Sequence, residues 1–230
     1  MTLKPAAPKG AKRARTRDAL LVSAQTLLME QNASALGLRQ ITDHAGLVHA
    51  SFYTHFPDVT ALIEDLAELL AASHAAAMLG LGVGLADPAT RFARITRQSL
   101  RIIGQKTGLG RLMFDVGLPA GGLGAELRLR LHQDIAEGVQ LGLFKADDLE
   151  ITASLVAGAI SGLALDLHRG ALPLESIDDA TERLLILLGV DGDLARRLAH
   201  EPVDFPAPRP MPMRWLDLPQ RPTPDLGETP

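Results

Sequence analysis

The sequence predicts an all-α protein, and three observations carry that expectation. Apolar residues recur every three or four positions through most of the chain, no segment alternates convincingly with period two, and cap and stop residues punctuate the periodic stretches. With 230 residues, 47% of them apolar, the chain can bury a substantial core as one long domain or two short ones.

The elements follow in order. Leu20, Ala24, Leu27 and Leu28 recur at helical spacing after Thr16, so residues 16–31 should form one amphipathic helix with Thr16 as N-cap. A short helix should span 38–44 and end on Gly46 as a left-handed C-cap, and another should carry 50–55. Pro57 interrupts, and Asp58 can cap a longer helix whose apolar face is Leu62, Leu66, Leu69 and Leu70. Beyond Pro88, Phe92, Ile95, Ser99 and Ile102 share a face. GLPAGGLG, residues 117–124, reads as a flexible break.

After it, Leu127, Leu131, Ile135 and Val139 recur every four residues, and Asp147 or Asp148 opens an apolar helix ending near His168. Ser176 and Asp179 have the spacing of a capping box ahead of Leu184, Leu187 and Leu188, with Gly189 as the stop. The expected organisation is a basic arm (1–15), a first helical domain (16–57), a larger helical domain (58–200) and a proline-rich tail (201–230). Nine of the fifteen prolines lie from Pro202 onward. Such a tail cannot propagate a helix and reads first as disordered or draped over the surface, and second as an arm docking Trp215 or Phe205 onto the body.

Composition narrows the function. There are no cysteines, which excludes disulfides, thiolate metal sites and cysteine nucleophiles. The N-terminus is basic but has no apolar segment of a secretory signal, so a cytoplasmic location is expected. No apolar run approaches the roughly 18 residues of a membrane span, and ITASLVAGAISGLALDLH, residues 151–168, reads as a buried helix with no membrane partner.

The net charge of −4 hides an asymmetry. Residues 1–57 hold seven Lys/Arg against three acids, and the remainder holds sixteen against twenty-four. A basic end on an acidic body suits one part that meets an anion while the other stays apart from it.

HASFYTHF, residues 49–56, concentrates three aromatics and two histidines in a chain with 3% aromatic residues. Two short helices, LRQITDH and HASFYTH, joined by a Gly-containing turn and braced by a preceding amphipathic helix, make a helix-turn-helix, whose second helix enters the DNA major groove. His49, Ala50 and Ser51 suit base edges: Ala50 permits close approach, and the other two can hydrogen-bond. Tyr53 and His55 suit phosphates. Arg39 and Gln40, on the first helix of the pair, complete the candidate contacts there. Phe52 and Phe56 should lock the second helix onto the first. Lys12, Arg13, Arg15 and Arg17 sit where an N-terminal arm could follow a groove or backbone, or remain a solvated basic tail.

The residues 41–47, ITDHAGL, followed by 51–62, SFYTHFPDVTAL, resemble the TetR family of bacterial transcriptional regulators over about 16–70. The resemblance implies a Tyr-x-x-Phe recognition helix and a long helix leading to a ligand domain. It further implies a homodimer on a palindromic double-stranded DNA operator, released by a small-molecule effector and acting as a repressor. Two departures stand out. Val48 replaces the family's usual Ser or Thr cap, whose loss costs about 1 kcal/mol, and Val59 replaces a phosphate-contacting Lys.

By the same resemblance the last two long helices form the dimer. Ala153, Ala157 and Ser161, at spacing four beside Gly158 and Gly162, are the candidate interface, with Leu184 and Leu188 from the next helix; the alternative is a merely crowded core of the single chain. The effector is unknown. Its pocket should lie within 88–143, with Phe92, Met113 and Phe114 as candidate wall residues, though Met and Phe at helical spacing are ordinary core. Arg91, Arg94, Gln98 and Arg101 form a stripe that is either a solvated face or an attractor for an anionic effector.

Nothing points to an enzyme or a cofactor. GVGLAD follows an alanine-rich helix where a dinucleotide site requires a strand. Ser161, Asp166 and His168 share one helix at separations that cannot assemble a triad, and His44, His49 and His55 lack metal-ligand spacing. The rival reading is a helical interaction module whose degenerate helix-turn-helix binds a protein partner, which Val48 and Val59 keep open.

Overall fold

A computed structural model of the chain describes residues 9–118 and 120–217. Among the described residues there are ten α-helices and no β-strand. They are α1 (Lys9–Leu28), α2 (Leu38–His44), α3 (His49–Tyr53), α4 (Val59–Gly82), α5 (Pro88–Ile103), α6 (Gly108–Phe114), α7 (Ala120–Gln140), α8 (Leu149–Arg169), α9 (Ile177–Leu187) and α10 (Gly192–His200).

Helices α1 to α3 close over one core. Leu20, Leu21, Ala24 and Leu28 of α1 are buried with Ile41, Phe52, Phe56 and Leu62, and the same core continues along α4 to Leu100, Leu112 and Leu167. The continuity fixes the first domain on the second through a shared apolar interior rather than a linker. Helix α5 is central: it packs against α4, α6, α7, α8, α9 and α10.

The local signals differ in how they were realised. Asp58 and Asp148 cap as expected, accepting from the backbone N–H of Ala61 at 2.8 Å and Ile151 at 2.9 Å. Gly46 and Gly189 adopt positive φ beyond α2 and α9. Thr16 is not a cap. Helix α1 begins at Lys9, and the Thr16 hydroxyl donates to the Lys12 carbonyl inside it. Residues 9–15 of the expected arm are therefore helical, while 1–8 lie outside the described residues. The Ser176 capping box also fails, because the Ser176 hydroxyl donates backward to the Pro173 carbonyl. The break at 117–124 is shorter than expected, since α7 starts at Ala120. Pro119 and the side chain of Leu127 lie outside what is described.

The largest correction concerns the tail. Residues 201–217 are an ordered arm that crosses α5, then α4, then α1. Gln98 donates to the Pro206 carbonyl at 2.7 Å, Arg209 donates to the Ser73 hydroxyl at 3.3 Å, and the backbone of Met213 exchanges two hydrogen bonds with Gln25 at 2.7 and 2.8 Å. Both aromatic anchors stack on arginines: Phe205 on Arg97 and Arg101, and Trp215 on Arg17. The docked-arm expectation thus holds for this stretch, and 218–230 lie outside the described residues.

The arginine stripe is taken up by the arm together with α7 and α9. Arg94 pairs with Glu201 at 3.0 Å, Arg101 with Asp178 at 3.0 Å, and Arg91 with Asp134 and Glu137. The stripe is neither a solvated face nor an open anion site; it is tied down within the protein.

Candidate nucleic-acid interface and effector cavity

The turn between α2 and α3 is built from the backbone. Gly46, at φ +65°, turns the chain in a conformation that side-chain-bearing residues rarely adopt, and the Leu47 N–H donates back to the Thr42 carbonyl at 2.9 Å. The Phe52 and Phe56 rings, 5.7 Å apart, then fasten α3 from its inner face into the core. Pinning that side turns the other outward. His49 and Ala50 are exposed, Ser51 is half-buried, and Tyr53 keeps 63% of its surface free. Val48, at the N-cap position and 71% exposed, makes no side-chain cap.

The other candidates separate into two groups. Arg39, Gln40, Lys12, Arg13 and Arg15 are exposed, and Arg13 donates to the Thr54 carbonyl at the end of α3 at 3.4 Å. Arg39 pairs with Asp43, and Gln40 accepts from the Gly37 N–H at 2.8 Å. Arg17 departs from expectation. Its guanidinium pairs with Asp65 and lies between the Phe56 and Trp215 rings, 5.3 and 5.1 Å from their centroids. A charge held that way joins α1, the Phe56 segment after α3, α4 and the arm, and has little freedom to reach a phosphate. Partial burial, and then the charges of Arg13 and Arg17, lower the pKa of His55.

The helices behind this motif form a half-open cavity of about 620 Å³. That lies within the roughly 300–1,000 Å³ typical of small-molecule sites. Phe92, Met113 and Phe114 all line it, together with Ile95, Leu131 and Ile160. The walls reach beyond 88–143, because Met78 of α4 and Ala164 of α8 contribute. Arg91, Asp134 and Glu137 lie together in one part of the wall.

Ser99 lines the cavity from α5, and its hydroxyl lies 3.0 Å from Nε2 of the buried His74 on α4. Burial lowers the His74 pKa to about 4, so the imidazole is neutral at pH 7. Between about pH 7 and 4 the unfolded chain takes up a proton at this residue and the folded chain does not. Stability therefore falls through that window and levels off below it, by an amount of about 3 kcal/mol at pH 4. Urea unfolding of the parent and of His74→Gln at pH 7 and 4.5 checks this; the variant should lose distinctly less stability on acidification.

The proposed dimer residues are distributed differently from expectation. Ala153, Leu184 and Leu188 are buried in the core of the single chain, and Ala157 is buried at the cavity wall. Side chains already enclosed in one chain have no surface left for a partner. Ser161 is exposed, as are Gly158 and Gly162. The outward face of α8 carries Ile151 and Leu155, 59% and 60% exposed, and α9 adds Leu187. Helix α8 is thus apolar on both faces and not simply buried. It is long and apolar enough to cross a membrane by length and composition, although its inner face packs in the core.

Residues 20–66 match the family model described as bacterial regulatory proteins, tetR family. Among solved structures, the chain is similar to RolR in complex with resorcinol, at 26% identity over 86% of this chain and 99% of that one, with a TM-score of 0.67. A putative TetR-family transcriptional regulator from Vibrio parahaemolyticus is 23% identical over 74% of this chain and 94% of its own, with a TM-score of 0.54. NalD, the secondary repressor of the MexAB-OprM multidrug efflux pump in Pseudomonas aeruginosa, shares the fold at 18% identity, 76% and 98% coverage, and a TM-score of 0.61. No curated protein sequence matches the chain.

The helix-turn-helix and the helical domain behind it define an all-α DNA-binding regulator of transcription. Residues 20–66 match the TetR-family model, and the fold is similar to that of RolR. The comparisons favour this class over a protein-binding interaction module.

Proposed function

We propose that the protein is a cytoplasmic, homodimeric repressor that holds a palindromic operator through two copies of α3 and leaves it when a small molecule fills the cavity. The observation that carries the reading is the division of the segment 49–56: Phe52 of α3 and Phe56 just beyond it are locked in the core while His49, Ala50 and Tyr53 are presented outward. A cavity of small-molecule size in a fold similar to that of RolR, whose structure is a complex with resorcinol, supports the effector. His49, Ala50 and Ser51 meet base edges, Tyr53 and His55 meet phosphates, and Arg13 and Arg15 add backbone contacts from the first turns of α1.

The dimer is proposed to use the outward face of α8 and α9, where Ile151, Leu155 and Leu187 surround Gly158, Ser161 and Gly162. The glycines let two helix backbones approach closely. A second copy covers this face better than lipid does, because the opposite face of α8 is already committed to the core.

Point substitutions test the division of labour on DNA. Tyr53→Phe should weaken binding to every duplex by a similar factor, whereas His49→Ala or Ser51→Ala should change the preference at particular base pairs. If Tyr53→Phe leaves affinity untouched in a fluorescence-anisotropy titration, the phosphate role is wrong.

A further inference from the structure

The cavity has a chemical division that says what can occupy it. Its aromatic and aliphatic wall is formed by Phe92, Phe114, Ile95, Leu131 and Ile160, with the Met113 thioether among them, a surface suited to a flat apolar ring. Three small hydroxyl side chains, Thr96, Ser99 and Ser161, also line it. The Ser161 O–H donates to its own helix, to the Ala157 carbonyl at 2.9 Å, so towards a ligand it can only accept. Ser99 is different, because its partner is the side chain of His74, whose tautomer can reverse the bond.

That pair can serve a ligand in either direction. When the Ser99 O–H donates to Nε2, the serine lone pairs are left to accept a ligand hydroxyl. In the other tautomer His74 donates to Ser99, and the serine O–H is free to donate to a ligand oxygen. The pair itself suits a neutral group, since neither Ser99 nor the neutral imidazole supplies a countercharge. The arginines of the wall stand elsewhere in the lining: Arg91, engaged by Asp134 and Glu137, and Arg128 and Arg130.

We infer that the cavity takes an uncharged, flat, largely apolar molecule bearing a hydroxyl group, and that Ser99, backed by His74, is the residue that recognises the hydroxyl. This rests on the reading of the cavity as the effector site. It adds the class of effector and the residue that selects it.

The test uses the full chain without DNA and three molecules of nearly one shape: 2-naphthol, its methyl ether 2-methoxynaphthalene, and the carboxylate 2-naphthoate. Titration calorimetry at pH 7 should show 2-naphthol bound about tenfold more tightly than the ether, the factor one neutral hydrogen bond supports, and the carboxylate weaker than both. Ser99→Ala should remove the advantage of 2-naphthol over the ether while leaving the ether's own affinity in place. Equal affinity for naphthol and ether, tighter binding of the carboxylate, an undiminished preference in Ser99→Ala, or no binding of any of the three would each overturn the inference. The comparison of the three ligands on the parent protein stands even if the variant folds poorly. Release of labelled duplex by bound 2-naphthol is measured separately. Binding without release leaves the ligand class intact and counts against the effector role, whereas intact DNA binding with no hydroxyl preference counts against the class alone.

Discussion

Replacing Arg97 with alanine will destabilise the protein by about 3 kcal/mol, the scale on which removing one partner of a buried ion pair is felt. Arg97 is 3% exposed and gives every face of its guanidinium a partner. Nε and Nη2 donate to the two Asp178 oxygens at 2.9 and 3.1 Å, Nη1 donates to the Glu201 carbonyl at 2.8 Å, and the Phe205 ring stacks over the plane. One side chain thereby ties α5 to α9 and to the start of the arm. Arg97→Lys should recover only part of the loss, since an ammonium cannot match two carboxylate oxygens and a carbonyl at once. Urea midpoints of the three proteins give the comparison.

The same cluster sets an acid limb. Burial alone would raise the Asp178 pKa, but hydrogen bonds and charge from Arg97 and Arg101 outweigh it and hold the carboxyl below its ordinary value. A lowered carboxyl pKa contributes stability above the unfolded value, near pH 4, and loses it as pH falls through the folded one. Parent stability should therefore decline below about pH 4 in a way that Arg97→Ala blunts.

The second large effect concerns the other end of the arm. Gln25 is fully buried in α1, and its side-chain amide satisfies both the N–H and the carbonyl of Met213. Gln25→Leu keeps the size and removes both partners. The Met213 backbone then either stays buried with two unmet hydrogen bonds or lifts into water, a loss of about 2–3 kcal/mol in docking. Trp215, the chain's single tryptophan, reports the outcome, because it is half-buried and stacked on Arg17 in the same stretch. Its emission should shift to the red in Gln25→Leu, and amide exchange in α1 should accelerate. An unchanged spectrum and unchanged exchange would mean the arm is held without Gln25.

These two sites show where sequence reasoning stops. The helix-turn-helix was legible because its determinants are local: the turn glycine Gly46, the Phe52 and Phe56 spacing, and the Asp58 cap all act within a few residues of one another. The arm was not, because its partners are remote. Gln25 and Met213 lie 188 positions apart, and a proline-rich stretch has the same composition whether it is solvated or docked. Periodicity placed Arg94, Gln98 and Arg101 on one side of α5 without saying that the arm lies across that side.

The dimer candidates mixed buried residues with the exposed Ser161 for a related reason. Helix α8 is apolar nearly all round, so small-residue spacing alone does not tell its inward from its outward face. Ala153 and Ala157 face in, while Ile151, Leu155 and Gly158 face out. The cavity was legible in part: Phe92, Met113 and Phe114 do line it, but the contribution of His74 through Ser99 depends on a contact between helices that no sequence spacing encodes.

The most direct measurement is selection of binders from a randomised duplex library with the purified protein, followed by affinity for the enriched site at several salt concentrations. The account predicts an inverted repeat whose half-sites are separated by about one turn of DNA, and an affinity that falls steeply as salt rises because several phosphates are neutralised on each half. A folded dimer that enriches no sequence at low salt would contradict it, and would mean that an α3 left without a side-chain cap at Val48 and followed by Val59 does not read DNA.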